Sequence, residues 1–337
     1  MTGPSRTDMN DVAHRRAGAV VALLLLALSG RTGHAAEVAL YRATVPLDGA
    51  TDADRNEAFG AALRTVVIRA SGRRDAGSNP QVSAAAGHAN RLVQQYSATS
   101  DGSLRVGFDA ATIDGLLEQA GLPAWPSERP ATLVVMPPPG VAPTDALAIR
   151  AGDASPERAQ LELAAQVRGV PLVWPVAQVS VETIRARLAD AGVEGAARAA
   201  GTQADAVLLA SGAPPEWVVV HAGQVARRRG SAAEALNLAA DTYADIYAPP
   251  STRGVSTASI RIDGVESLQA YAGLLQELES LSIVRGIAVT EVDRSVVRVD
   301  LTLRGDLELL RRVALLTPTL RPASSADAAA PQFVYLP

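Results

Sequence analysis

The chain has 337 residues with a formal net charge of −4, and its 48% apolar content is enough for packed cores and excludes a disordered chain. At roughly 150 residues per domain, this length predicts two or three folded units. The sequence contains no cysteine, and all 31 basic residues are arginine, which excludes disulfides, thiolate metal ligands, cysteine nucleophiles, Schiff-base lysines and the lysine of a phosphate-binding loop.

The N-terminal segment, residues 1–35, predicts a secretory signal peptide. Arg15 and Arg16 precede an apolar run over 17–28, and small residues up to Ala35 suit cleavage by signal peptidase. The run is shorter than the roughly 20 residues that cross a bilayer, and an uncleaved signal anchor is the alternative. We therefore expect a periplasmic mature chain with no later membrane span. Because that chain is mildly acidic, we expect no nucleic acid partner.

Residues 36–122 predict an N-terminal α+β domain. A strand ends at Pro46, and the following helix ends at Ser71–Gly72, where glycine suits a helix C-terminus. We expect a second helix over 88–95. A hairpin turn at Asp101–Gly102 then leads into an alternating strand, and Asp109 has the position of a cap for a third helix.

Several short strings in this part of the chain and just after it carry a family resemblance. They are Leu40–Pro46, Arg69–Gly72, Asn79–Pro80, Gln94–Tyr96, Ala120–Trp125 and Glu128–Pro130. On these strings the chain resembles the bacterial exported family catalogued as domain of unknown function 2066, over most of the mature chain. The resemblance implies an exported protein and no assigned activity.

A proline-punctuated linker, 123–130, precedes a second predicted domain over residues 131–248. Apolar strands beginning at Thr132 and Val170 alternate with helices, one of which begins at Pro156. A helix from Ala232 to Tyr247 closes the segment. This alternation predicts a βαβ-type α/β domain with a largely buried sheet.

Residues 249–321 predict a ferredoxin-like domain. The order of elements is strand, helix, two strands and helix, with 319–321 or 333–336 as a further strand. Charged residues alternate with apolar ones in its strands, so one face of this sheet should be solvated or covered by a partner. Residues 322–337 predict a low-complexity tail with a possible last strand. The expected fold class is thus α+β / α/β, built from several small mixed units.

Arg227, Arg228 and Arg229 form the densest basic cluster in the sequence. Followed by Gly230 and the start of a helix, they could contact a phosphate or another anionic partner. The alternative interpretation is a solvated turn after the strand at Trp217. The shorter pairs Arg73–Arg74 and Arg311–Arg312 allow the same two interpretations.

We expect structural roles for the histidines, the paired acidic residues and the tryptophans. After signal cleavage only His88 and His221 remain, and they fall in different predicted domains, so we expect no metal site. Acidic pairs such as Asp52 with Asp54 lie at helix starts, where they stabilise the helix dipole. Three tryptophans, Trp125, Trp174 and Trp217, lie near prolines and should pack at segment boundaries, the alternative being an exposed platform for a ligand. We predict neither a catalytic residue nor a cofactor.

These observations predict a non-enzymatic periplasmic protein that binds or scaffolds another envelope protein or the cell wall. Two alternatives remain at the level of sequence. One is a periplasmic hydrolase of peptidoglycan or another polymer, with carboxylates from separate segments. The other is a sensor of a small ligand. The sequence does not determine the oligomeric state.

Overall fold

The computed structural model describes residues 40–141, 146–212, 214–249, 254–323 and 332–337. The predicted signal peptide and half of the predicted tail, residues 324–331, lie outside the described residues. One antiparallel sheet, two mixed sheets and the helices around them make an α+β fold, which confirms the expected class. The three sheets lie within one compact unit.

The first sheet has three antiparallel strands in the order β1–β3–β2. Its elements are β1 Arg42–Pro46, α1 Asp52–Ser71, α2 Pro80–Ala86, β2 Val93–Ala98, β3 Ser103–Phe108 and α3 Ala110–Gln119. Thr51 and Asp54 form a reciprocal capping box at the start of α1, and Gly72 ends that helix with a φ of 72°. The apolar side of α1, including Leu63 and Val67, packs on the sheet.

The predicted helix over 88–95 is wrong. The helix begins earlier, at Pro80, where the Asn79 side chain accepts hydrogen bonds from the first free amides. Residues Ala89–Arg91 form a short 3-10 turn, and Val93–Ala98 pair with β3 instead. Pairing across the sheet therefore decides the conformation of a segment that has little helical periodicity of its own.

The second sheet has five strands in the order β5–β4–β6–β7–β8. Its elements are β4 Thr132–Val135, α4 Pro156–Arg168, β5 Leu172–Val173, α5 Val181–Ala199, β6 Ala206–Ser211, β7 Glu216–His221, β8 Gln224–Arg229 and α6 Ala232–Tyr247. Strands β5, β4 and β6 are parallel, whereas β6, β7 and β8 are antiparallel. Helix α5 has a kink at Ala191 and Gly192.

The third sheet has the order β10–β11–β9–β13–β12. Its elements are β9 Val255–Asp263, α7 Leu268–Ser280, β10 Val284–Asp293, β11 Val296–Arg304, α8 Leu307–Ala314, β12 Leu320–Pro322 and β13 Gln332–Tyr335. Strand β11 lies between β9 and β10, so the predicted split βαβ arrangement is present. Both candidate terminal strands form, and β13 runs parallel to β9.

Apolar side chains join the second and third sheets into one core. Leu208 of β6, Tyr243 of α6 and Ile262 of β9 belong to the same buried cluster. The opposite face of the second sheet packs against α5 through Leu133 and Ile184 in a separate cluster. Helix α6 thus lies in a core that both sheets share, whereas the first sheet has its own core.

Candidate functional site

The structure places the predicted basic cluster on strand β8, which corrects the interpretation of Arg227–Arg229 as a turn. Strand β8 pairs with β7 through a two-residue connection, in which Ala222 and Gly223 both have positive φ. Because side chains alternate along a strand, Arg228 lies on the side of α6, while Arg227 and Arg229 lie exposed on the opposite side. The three guanidinium groups therefore do not converge on one anion.

Arg228 instead joins arginines from two other segments at Asp241 of α6. The Asp241 carboxylate lies 2.9 Å from Arg168, 3.1 Å from Arg74 and 3.8 Å from Arg228. Arg228 also contacts Glu234 at 3.2 Å. We call Asp241, Arg74, Arg168 and Arg228 the Asp241 cluster. It connects the short 3-10 helix Arg74–Ser78, which follows α1, with helix α4, strand β8 and helix α6.

An open groove of about 360 Å³ lies beside the Asp241 cluster. Its lining residues are Gly72, Arg73, Arg74, Asp75, Asp241, Ala244 and Asp245. Both signs of charge line this groove, and Arg73 lies 3.7 Å from Asp75. The groove therefore presents paired charges, which favours a structural ion-pair network over a selective anion site.

Two buried arginines hold the linker against the first sheet. The Arg129 guanidinium lies 3.4 Å above the Trp125 ring and donates to the carbonyls of Pro126 and Arg69 at 2.7 and 3.1 Å. Arg69 donates at 2.7 Å to the Arg42 carbonyl on β1. Burial, and then the charge of Arg69, hold the pKa of Arg129 well below its usual range. Burial lowers the pKa of Arg69 to about 10.

Ion pairs and hydrogen bonds also connect the first sheet and the linker to the third sheet. Asp114 of α3 lies 2.7 Å from Arg285 and 2.9 Å from Arg304. In the linker, Glu128 accepts from the backbone amide and the hydroxyl of Ser282 at 2.9 and 2.7 Å. A crevice of about 20 Å³ lies at this junction, with room for roughly one water molecule.

His221 lies in a buried polar network at the end of β7. Its Nδ1 atom is 2.8 Å from the Asp205 carbonyl, and its Nε2 atom is 2.9 Å from the Tyr247 hydroxyl. Burial lowers the pKa of His221 and raises that of the Asp205 carboxyl, which accepts from the Ala131 amide at 2.9 Å. Both ring nitrogens of His221 therefore have a hydrogen-bond partner within the protein, as expected for a structural histidine. His88 is exposed beside the 3-10 turn, far along the chain from this network.

The tryptophans pack as predicted. Trp125, Trp174 and Trp217 are each at most 6% exposed, and the Trp217 indole donates at 3.0 Å to the Gly230 carbonyl.

Within the described ranges, no group of three or more histidine, aspartate or glutamate residues could hold a metal ion. None of the helices in that part of the chain is long and apolar enough to cross a membrane.

Sheet edges form the remaining candidate interaction surface, because an unpaired strand edge can accept another chain. Five of the six edges in the described sheets carry a feature that opposes such pairing. Strand β8 has three arginines, β5 is two residues long, and β12 is three residues long and ends in Pro322. Strand β10 carries charges and two bulges. On β1, the Arg42 carbonyl already accepts a hydrogen bond from the Arg69 side chain, and Pro46 has no amide hydrogen to donate to another strand.

Strand β2 is the sixth edge and lacks these features. Its sequence over Val93–Ala98 contains neither charge nor proline, and five of its six residues are exposed. Its single irregularity lies between Val93 and Gln95, so the stretch to Ala98 is regular. Sequence reasoning missed this surface because it placed a helix over half of the strand. The uncharged run before the hairpin turn is the signal that could have indicated it.

One family model matches the chain, over residues 35–126, and its description is "Domain of unknown function (DUF8605)". This segment, which includes the whole first sheet and its helices, is therefore similar to that family. The match corrects the expected resemblance to domain of unknown function 2066, because the matching family is a different one. No curated protein and no solved structure matches the chain.

Proposed function

We propose that this chain is an exported, non-enzymatic protein of the bacterial cell envelope that binds or scaffolds other envelope components from the periplasm. The observation that carries this proposal is the way polar contacts fix the three sheets against one another. Asp114 joins the first sheet to the third, and the Asp241 cluster joins the first sheet to the second. Such a body presents its exposed strands and faces in fixed relative positions, which suits a scaffold.

The sequence supplies the argument for export. A basic pair, an apolar run and small residues up to Ala35 have the order of a secretory signal peptide. The chain also lacks cysteine, so its folding would not depend on the oxidising or reducing state of its compartment. Both features are consistent with a periplasmic location.

Localisation is tested by expressing the tagged full chain and separating cytoplasmic, periplasmic and membrane fractions. We expect the periplasmic product to begin at Ala36, as measured by mass spectrometry of the intact protein. An intact product that retains its leader in the cytoplasm would contradict the proposal. So would a product that stays in the membrane fraction through the same leader.

Binding is tested by photo-crosslinking in living cells. The chain contains neither lysine nor cysteine, so amine- and thiol-reactive crosslinkers have almost no site on it. A photoreactive amino acid is therefore introduced at one exposed position on each sheet-bearing part: Gln95, Arg227 or Leu268. We expect at least one position to give a discrete crosslinked product of reproducible mass. If none of the three gives a product in intact cells, the proposed binding role is wrong.

A further inference from the structure

The register of the first sheet determines which backbone groups of β2 point away from it. The Thr99 amide donates to the Ser103 carbonyl at 2.9 Å, and bonded and non-bonded pairs alternate along antiparallel strands. Ser97, two residues earlier, therefore directs its amide and carbonyl toward β3. Tyr96 and Ala98 direct theirs toward the free edge. Within the described ranges, no backbone hydrogen bond from another segment reaches those outward groups.

The two faces beside this edge differ in character. On the helix side, the ring of Tyr96 packs edge-on against Phe59 at 5.1 Å and remains 52% exposed. On the solvent side, Arg42 and Arg105 are exposed and neither forms an ion pair with a described residue. A strand added to β2 would thus have an aromatic neighbour on one face and, on the other, Arg105 of the adjacent strand β3. Arg42 lies on the same face but on β1, the opposite edge of the sheet.

We propose that β2 pairs with an extended segment of a partner protein whose side chains alternate between acidic and apolar. The acidic side chains would lie on the face of Arg42 and Arg105, and the apolar ones would contact Tyr96. Charge complementarity favours this occupant over a second copy of the chain. A second β2 strand at this edge would bring no acidic side chain to Arg105, because β2 carries no charged residue. This inference rests on the proposed function, since it names the class of partner.

The probe is a synthetic peptide with blocked ends and the sequence Thr-Glu-Val-Glu-Val-Glu-Thr. One control replaces each glutamate by lysine, and a second has the same composition with the three glutamates contiguous. Binding to the mature chain is measured by fluorescence anisotropy. We expect saturable binding of the alternating acidic peptide and at least about tenfold weaker binding of both controls, because several cross-strand pairs change together.

Hydrogen exchange locates the bound peptide. We expect slower exchange of the Tyr96 and Ala98 amides when the acidic peptide is present. The Ser97 amide is already bonded to β3 in the free protein, so its exchange should change much less. Protection confined to other strands would contradict the proposal even if the peptide binds.

Two variants test the contacts separately. Ala98→Pro removes an outward amide without removing a bond of the sheet, because proline is tolerated where the amide faces solvent. We expect at least about tenfold weaker peptide binding, whereas the control Ala98→Thr keeps the amide and should bind within about twofold of wild type.

The double variant Arg42→Glu/Arg105→Glu should prefer the lysine peptide. Its charge-matched control, Arg64→Glu/Arg187→Glu, changes exposed positions on helices and should keep the acidic preference.

The remaining outcomes separate this inference from the proposed function. Equal binding of all peptides, or no binding, overturns the β2 proposal. A concentration-dependent dimer that Ala98→Pro converts to a monomer also overturns it, because a second copy would then occupy the edge. If crosslinks in cells persist unchanged in Ala98→Pro and in Arg42→Glu/Arg105→Glu, the inference fails while the proposed binding role stands. Loss of export and of all crosslinks would instead refute the proposed function.

Discussion

The Asp241 carboxylate accepts a hydrogen bond at 2.9 Å from Arg168, whose side chain is only 5% exposed. Arg168 also donates to the Gly72 carbonyl at 3.2 Å, where α1 ends. Burial lowers the pKa of Arg168, and the charge of Asp241 opposes that effect. One carboxylate therefore compensates a buried cation at the point where the first two sheets meet.

Replacement of Asp241 by asparagine should destabilise the protein. The change leaves Arg168 buried without its counter-charge, removes the ion-pair partner of Arg74, and removes the more distant of the two carboxylates beside Arg228. A broken buried pair costs about 3–5 kcal/mol, and the partial exposure of Asp241 reduces the expected loss to about 2 kcal/mol. The measurement is the free energy of unfolding from urea titration.

The matched control is Asp190→Asn on helix α5. Asp190 is 73% exposed and lies 3.7 Å from Arg187, so its loss should change the unfolding free energy by less than about 0.5 kcal/mol. An Asp241→Asn variant as stable as this control would show that the Asp241 cluster does not hold the sheets together.

Gly72 is predicted to tolerate alanine poorly for two separate reasons. Its φ of 72° lies in the left-handed region, and an added Cβ would lie 2.6 Å from the Ala244 Cβ atom. We expect Gly72→Ala to lose about 3 kcal/mol, of which about 1 kcal/mol comes from the backbone and the rest from the clash. Thermal unfolding of the purified variant measures this loss.

Gly121 provides the comparison that separates the two causes. It has a φ of 63° but no atom within 4 Å of an added Cβ. Gly121→Ala should therefore lose only about 1 kcal/mol, the backbone cost alone. Equal losses at the two glycines would mean that α1 and α6 do not approach each other as closely as described.

Local signals account for much of the fold that the sequence predicted. Helix α4 begins after the capping residue Ser155 and ends at Gly169, which has positive φ, and α6 has the predicted bounds. Strand β8 was not predicted because its three consecutive arginines hide the alternation of a strand. Only the pairing with β7 makes Gln224–Arg229 extended.

The candidate sites depend on contacts that leave no local pattern. Arg74 and Arg228 meet at Asp241 although they come from distant parts of the chain. Alternation on β8 separates Arg228 from its two neighbours, which the sequence alone presents as one cluster. The open edge of β2 similarly depends on strand order, since any strand of a sheet can be central or peripheral.

Protonation of His221 should reduce stability at mildly acidic pH. Burial lowers the pKa of His221 in the folded state below the value of about 6.5 expected in the unfolded chain. The unfolded state therefore binds the proton more readily, and stability is complete above about pH 6.5 and falls as the pH decreases below it. The measurement is the unfolding free energy of wild type and His221→Gln between pH 5 and 8.

The variant should lack this part of the pH dependence, so the difference between the two proteins is the informative quantity. Asp205 changes the stability with pH in the opposite direction to His221. Burial raises the pKa of its carboxyl, so protonation as the pH falls removes the cost of burying the charged carboxylate. Asp205 is present in both proteins, and its contribution largely cancels in the difference. If the unfolding free energies of the two proteins change with pH in the same way, burial does not keep His221 unprotonated in the folded state.

Removal of the exposed arginines from β8 should make the protein associate. Arg227 and Arg229 lie on an edge strand beside Val225, which is 57% exposed, and charges on an edge oppose pairing with other chains. We expect Arg227→Thr/Arg229→Thr to increase the weight-average mass in analytical ultracentrifugation relative to wild type as concentration rises. The control Arg187→Thr/Arg198→Thr removes the same charge from exposed positions on α5 and should leave the mass unchanged. If the weight-average masses of the two double variants rise equally with concentration, the loss of net charge explains the association. The proposed role of β8 in preventing edge pairing would then be wrong.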